Sequence, residues 1–491
     1  MHDRYDDRDI ARLWADEALL DGWEKVELAV LQARVNLGEM DAATLETIRQ
    51  TFASNRPDIT WWKQKDAEIR HDLNAFVFER QRHLPDALQH FVHDEMTSFD
   101  TEESALLEKL LLSVAVIEAL LDQFEQILRD KALKYRHTPM MAVTHGQFAE
   151  AESFGKRIAS WYRLLIEART ALNESKAHLR FSKVSGAVGT YAEISPELEA
   201  ETLKLLGFEP YYGATQILHR TLFRPTISAL GGIASALGQI AMDIRLGARS
   251  ASCIYQEPFG KKQTGSSVMP GKKNTIIHEQ QEGLWAYILG CVSALHAVEV
   301  TWEERAIAQS CVERTALRDL FHAVARMLSN AIKAIDGLCV YPVNMMTEIV
   351  KTNGTYAAAS AKSKLAKMAA PFGLDAQSCY RIVQCAAFML GNPTHDENLA
   401  CSLVEADQLL GDMQAKPLEP EPRGNIRDII AEGLLKPVDS LDITAEQIES
   451  WNTVLHDIFA DEDRLRAWDQ VFSLTHLLRN EHVIFKQLFG A

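Results

Sequence analysis

Apolar residues recur at three- and four-residue steps along most of this chain, the spacing that gathers them on one face of an α-helix. The clearest run, Glu102 to Lys134, contains no glycine or proline. It predicts a helix about 45 Å long at 1.5 Å per residue, several times the usual globular length, with Asp100 or Thr101 capping its start. Similar patterns predict helices from about Ser153 to Arg180, Leu222 to Ser250, Thr275 to Glu304 and Val312 to Ile335. Several are apolar on more than one face, as helices buried on all sides are. A single chain rarely buries that much surface, so part of it is expected at a subunit interface of C2 or D2 symmetry.

Shorter helical patterns fill residues 1 to about 95, with breaks near Gly38 and at Asn55-Arg56-Pro57-Asp58. Tyr341-Pro342 ends the long-helix region, and shorter helices follow. Lys416 to Asn425, KPLEPEPRGN, is too rich in proline for a helix and reads as a linker, after which a helical pattern resumes from Thr444. The expected class is all-α. The expected domains are an N-terminal helical domain over 1–97, a central long-helix bundle over 98–342 and a C-terminal helical domain over 343–491.

Composition agrees with helix: 25 glycines and 15 prolines in 491 residues are fewer than average usage. The net charge of −17 argues against a nucleic acid or an anionic membrane as main partner, since either calls for a basic surface. A small anionic ligand in a local basic pocket stays compatible. Pro225 to Met242 approaches the apolarity of a membrane span, but it is rich in Ala, Gly and Ser and is flanked by Arg224, Asp243 and Arg245. It reads as a helix inside a bundle. The polar, acidic N-terminus is neither a secretion signal nor a transit peptide. Seven scattered cysteines without a C-x-x-C pair read as free thiols of a reducing compartment. A cytoplasmic protein is expected, with no metal and no cofactor, because no His/Cys/Asp cluster has ligand spacing.

Candidate chemistry concentrates in Gln263 to Glu279, QTGSSVMPGKKNTIIHE, a glycine-flanked stretch between two helical patterns that should form a mobile loop. Its order, G-S-S-x-M-P-x-K-x-N, resembles the signature loop of the fumarase/aspartase superfamily. Further segments, in the same order along the chain, are similar to those of adenylosuccinate lyases: Arg4-Tyr5, His71-Asp72, His93 followed by Thr97-Ser98-Phe99-Asp100, Thr144-His145-Gly146-Gln147, Thr215-Gln216 with Arg220, and Arg305, Ser310 and Arg314. Four surroundings differ. Gly271 and Thr275 stand where those enzymes usually carry His or Tyr and Pro, and Phe148 to Glu152 replaces prolines. Gln309-Ser310-Cys311 replaces D-S-S, and Thr101-Glu102-Glu103 follows the T-S-x-D element in place of the usual valine.

The resemblance implies a cofactor-free, metal-free lyase with sites shared between subunits of a homotetramer. It removes a proton beside a carboxylate, expels an amine and releases fumarate. Ser266 would be the base and His145 the acid, a role histidine suits near neutral pH. The carbanion is held as a dianionic aci-carboxylate, which calls for cations and hydrogen-bond donors already in place. Lys272, Asn274, Thr97 and Ser98 are such donors. Arg4, Tyr5, Arg305, Ser310 and Arg314 would hold a phosphate. His71, Asp72 and His93 would bind or orient the substrate, and Thr144, Gln216, Ser267 and Met269 complete the expected contacts. His219, His278 and Trp61-Trp62 read as packing residues. Two other readings stand beside this one: a superfamily lyase acting on argininosuccinate, aspartate or another succinylated metabolite, and an inactive relative kept for binding. Retention of Ser266, His145, Lys272 and Asn274 argues against the last.

Overall fold

The computed structural model describes residues 1–390 and 425–491, so the expected linker, apart from Asn425, and Cys401 lie outside the described residues. The chain is predominantly helical, as its periodicity predicts. Helix α1, Asp16–Leu37, ends at Gly38, whose φ of 79° supplies the left-handed cap. The break at 55–58 ends with Asp58, which caps the next helix by accepting from the Trp61 N–H. Helix α2, Asp72–Gln81, is capped by His71, whose Nδ1 accepts from Asn74 N at 3.2 Å.

Helix α3, Ser98–Lys134, is about 55 Å long at 1.5 Å per residue. It begins at Ser98, before the expected caps. Asp100 lies in its first turn and reaches back to accept the Thr97 N–H at 2.9 Å, half of a capping box. The same buried carboxylate pairs with Lys183 and accepts from Ser185 N at 2.9 Å and Gly186 N at 3.2 Å. Asp100 therefore ties the start of α3, where Thr97 and Ser98 sit, to the 183–186 segment.

A few short strands sit within this all-α fold. Strands β1, Pro139–Thr144, and β2, Gln147–Ser153, pair antiparallel across His145-Gly146. Both turn residues have positive φ, 54° and 76°, as a two-residue type I′ hairpin requires. Two further ladders are short: Phe181–Ser182 with Glu209–Pro210, and Tyr255–Gln256 with Cys339–Val340. The remaining long helices are α4, Phe154–Ser175; α5, Arg224–Gly247; α6, Ile276–Ala297; and α7, Ile307–Asp336.

The chain divides into two compact units. The first comprises Met1–Ile127, Arg163–Arg245 and Glu257–Gly337. Its N-terminal core gathers Leu20, Trp23, Ile48, Phe52, Leu73 and Phe76. In the same unit α6 packs along α7. Helix α5 comes close to α6 because its facing residues are small: a Cβ on Gly238 would lie 3.1 Å from the Trp285 ring, and one on Gly231 3.2 Å from Val292 Cγ2. Among the described residues α5 is the single helix with the length and apolarity of a membrane span, and 67% of its most apolar window is buried inside the fold. The second unit comprises Leu128–Tyr162, Leu246–Gln256 and Leu338–Ala491. Its core is built on Leu365, Ile382, Ile426, Trp451, Leu455 and Trp468.

Candidate active site

Within the first unit, three elements bring distant segments into one polar cluster. The start of α2 carries His71 and Asp72, and the start of α3 carries Thr97, Ser98, Phe99 and Glu102. The N-terminal part of α7 carries Ser310 and Arg314, with Arg305 just before it. His71 Nε2 lies 3.5 Å from Ser98 Oγ. Arg314 donates to Asp72 Oδ2 at 2.5 Å. Gln216 bridges the cluster, donating to Thr97 Oγ1 at 3.5 Å and accepting from Arg305 at 3.0 Å. The Arg305 guanidinium lies 4.2 Å from the centre of the Phe99 ring, a cation–π contact that fixes its plane. Seven residues expected from the sequence to bind substrate, His71, Asp72, Thr97, Ser98, Gln216, Arg305 and Arg314, are thus joined by contacts in pairs.

Behind the cluster lies a buried ion triad. Arg220 donates to Glu103 at 2.6 Å and to Glu313 at 2.7 Å, and also to the Leu218 carbonyl. Arg220, matched in the sequence as part of the motif, therefore serves to hold α3 and α7 together. A cavity of about 320 Å³ lies against the cluster, lined by Asp72, Glu102, Ser310 and Arg314 on one side and by Trp14, Trp23 and Trp62 among its apolar walls. Glu102 makes no hydrogen bond among the described residues. Burial, and then the neighbouring Asp72 carboxylate, push its pKa up to about 8 against the pull of Arg314 and Arg305.

The 263–279 segment belongs to the same unit. Ser266 Oγ accepts from the Val268 and Met269 N–H groups at 3.3 and 3.1 Å. Two amides aimed at one hydroxyl oxygen form a small nest that favours negative charge on it. Lys272 N donates to the Met269 carbonyl at 3.0 Å, closing the loop on itself. That closure requires Gly265, since a Cβ there would lie 2.2 Å from the Lys272 carbonyl oxygen. Ser267, Met269 and Lys272 are exposed, and Ser266 and Asn274 are half-buried. Downstream, the Glu257 carboxylate accepts from Ile277 N and pairs with the buried His278 at 2.8 Å, pinning the start of α6. His278 is fully buried in that pair, and Trp62 is buried at the cavity wall, its indole donating to the Asp72 carbonyl at 2.8 Å.

Other expected site residues stand apart from the cluster. Arg4 and Tyr5 form a short turn held to α7 by the Met1 ammonium on Asp319 and the Asp7 N–H on His322. The Arg4 N–H donates to His2 Nδ1 at 3.1 Å, and its guanidinium has no partner among the described residues. His93 is tied to Glu27, with its ring 2.8 Å and its N–H 3.0 Å from that carboxylate, and Thr101 donates to the same carboxylate at 2.6 Å. Burial opposes a charged ring here, but the charge and hydrogen bond of Glu27 outweigh it and raise the His93 pKa. Thr144 and His145 belong to the second unit, exposed at the hairpin tip, where no hydrogen bond restrains the His145 ring.

Sequence reasoning missed Glu27, Glu102 and Glu257. The first had a signal, an acid on the apolar face of α1 beside Val26 and Val30. Among the described residues no group of His, Cys, Asp and Glu is arranged to hold a metal ion.

A helical fold with a serine-bearing Gly-Ser-Ser loop and an Arg/Gln/Thr/Ser cluster defines a lyase of the fumarase/aspartase class. The chain matches the model of the Lyase family over residues 7–290 and belongs to that family. It is 32% identical over 408 residues to an adenylosuccinate lyase of Synechocystis sp., covering 83% of this chain and 92% of that protein, which places it among the carbon–nitrogen lyases of the superfamily. Its fold is shared with a fumarate lyase from Mesorhizobium sp. BNC1, at TM-score 0.75 and 16% identity, over 99% of this chain and 98% of that one. It is shared also with the β-carboxy-cis,cis-muconate cycloisomerase of Acinetobacter calcoaceticus, at TM-score 0.70 and 20% identity, over 95% and 98%.

Proposed function

We propose that this enzyme eliminates fumarate from adenylosuccinate to give AMP, and acts likewise on the succinylated carboxamide ribotide of purine synthesis. The observation that carries the reading is the coexistence, in one unit, of the amide-cradled Ser266 with a prebuilt cluster of Arg305, Gln216, Thr97 and Ser98. Ser266, as oxyanion, takes the proton beside the substrate carboxylate. Its two amide donors lower the cost of that charge. Lys272 and Asn274 on the loop, with Thr97 and Ser98, hold the carboxylate that gathers charge as the carbon–hydrogen bond breaks. The carbon–nitrogen bond then breaks, and His145 delivers a proton to the departing nitrogen. Arg305, Ser310 and Arg314 bind the phosphate, with Arg4 and Tyr5 supplied by the N-terminal turn.

In this reading the site is completed in a homotetramer. Val300 and Trp302, between α6 and α7, and Ile307, the first residue of α7, are 85%, 83% and 77% exposed, and Met242 and Leu289 on the long helices are exposed as well. Apolar surface of that kind is the surface a partner covers. We place the enzyme in the cytoplasm, in keeping with six described cysteines that form no disulfide.

One observation favours the second reading, a fumarate-releasing lyase on another succinylated amine such as argininosuccinate: Asp72 already occupies Arg314, and Glu102 faces it. Incubation with adenylosuccinate, following fumarate and AMP together, decides. Equal release of both products is expected. A folded enzyme that releases neither would move the assignment to the second reading, tested by fumarate release from a panel of succinylated amines.

A further inference from the structure

Glu102 is the least explained group of the cluster. It belongs to the Thr101-Glu102-Glu103 stretch that departs from the family's usual sequence, one helical turn beyond Ser98 on α3. Its carboxyl group lines the cavity beside Asp72, Ser310 and Arg314 and has no hydrogen-bond partner among the described residues. Of the other carboxyl groups at the cavity, Asp72 is engaged by Arg314, and Glu103 and Glu313 by Arg220, whereas Asp66 lies on the Trp62 side of the cavity without an ion-pair partner among the described residues. Asp16, at the same cavity, is paired with Lys63.

We propose that Glu102 is the specificity-determining residue for the oxyanion end of the substrate: as the neutral acid it donates a hydrogen bond to that oxyanion beside Arg305 and Arg314, and as the carboxylate it repels it. The proposal rests on the lyase reading of the site and names the ligand chemistry of the cluster, a phosphate monoester or a carboxylate. Charge decides the matter. With Glu102 neutral, two guanidinium groups face one carboxylate, leaving the cluster at +1 and open to an anion. With Glu102 ionised the sum is zero, and two carboxylates line the path of the incoming oxygens. A carboxylic acid kept neutral so that it can donate is an established device of apolar sites, and burial and Asp72 hold Glu102 in that state up to about pH 8. A bound anion would hold the proton more firmly still.

The other charged groups at this cavity are Asp66, Lys109, Arg220, Glu103, Glu313 and Arg318, with His71 at its side. Lys109 requires a control. It sits two turns further along α3 over the Trp14 ring, and burial brings its pKa down to about 8 as well.

The test is the pH dependence of KM for adenylosuccinate between pH 7 and 9, where the substrate phosphate does not titrate, in the wild type, Glu102→Gln, Glu102→Val and Lys109→Met. KM is expected to rise about tenfold over this range in the wild type and in Lys109→Met. Glu102→Gln, which keeps a neutral donor, should give a flat KM, and Glu102→Val a flat but higher one. The kcat profiles should coincide. A wild-type rise retained in Glu102→Gln, or one abolished in Lys109→Met, would overturn the assignment. Calorimetric binding of sulfate at pH 7 and 9 separates this proposal from the substrate reading. Absence of turnover together with Glu102-dependent sulfate binding would sink adenylosuccinate as substrate and leave Glu102 in its role. Turnover with sulfate binding that ignores Glu102 would do the reverse.

Discussion

The cluster around Asp72 and Arg314 and the loop around Ser266 belong to the same unit, yet they are built differently. In the cluster nearly every group meets another side chain: Arg305 meets Gln216, Gln216 meets Thr97, His71 meets Ser98, and Arg314 meets Asp72. A buried triad and the Asp100 carboxylate hold its floor. The loop bonds mostly to itself and exposes Ser267, Met269 and Lys272. The hairpin tip resembles the loop in this respect, since His145 is exposed there with no group holding its ring. Recognition needs donors fixed before the ligand arrives. The base and acid need only be in place when the chemistry happens, and exposed loops can be positioned by another surface. The difference teaches two modes of construction: the cluster is tied side chain to side chain within one chain, whereas the loop and the hairpin tip, which carry the proposed base and acid, are not.

The sharpest way to break this comparison is to remove the chemical groups. Ser266→Ala and His145→Ala should each lower kcat by about 10³-fold, while thermal unfolding stays where it is, because neither side chain supports the core. Near-normal turnover in either variant would remove that residue from its role. Next in size is the floor of the cluster. Arg220→Met leaves Glu103 and Glu313 buried without their cation, and denaturant unfolding should show a loss of about 3–5 kcal/mol. A loss below about 1 kcal/mol would mean that the two carboxyl groups escape by taking up protons.

Arg305→Ala sharpens the contrast from the recognition side. It should raise KM by about 10- to 100-fold, the worth of a hydrogen bond from a charged group, with kcat largely kept. Unchanged constants would take Arg305 out of the binding site. The smallest effect concerns His93. Its pKa is raised in the folded state, so the stability it brings through Glu27 is complete below the ordinary histidine value of 6.5 and is lost as pH rises through the folded value. Unfolding free energy should therefore decline from pH 6 to pH 8 in the wild type, and His93→Gln should flatten that decline.

Much of this construction was legible beforehand. Helix periodicity located α3 and α5 to within four residues, because long apolar stripes leave little freedom in placing a helix, whereas α6 ends at Ala297, well before the expected Glu304, and α7 begins at Ile307, before the expected Val312. The motif segments named the cluster residues, which tertiary contact then joined. The hairpin is not legible in the apolar periodicity, although His145-Gly146 between Thr144 and Gln147 carries the glycine of a two-residue turn. The start of α3 was placed late because Asp100 looks like an ordinary N-cap, whereas its carboxylate faces backward to accept the Thr97 N–H. Glu102 and Glu257 were silent for a different reason. What a lone acid does depends on partners far away in sequence, and spacing along one helix does not reveal them.

The central proposal is that a half-buried Ser266 and an exposed His145 act in one site supplied by more than one subunit. Mixing is the direct test. Ser266→Ala and His145→Ala chains, each inactive alone, are unfolded together, refolded at equal ratio and assayed for fumarate release. If the two residues come from different subunits, random assembly restores about a quarter of the sites, and activity should return to about that fraction of the wild type. A mixture of correctly assembled chains that stays as inactive as its components would contradict the account, because it would show that each site takes both residues from the same chain.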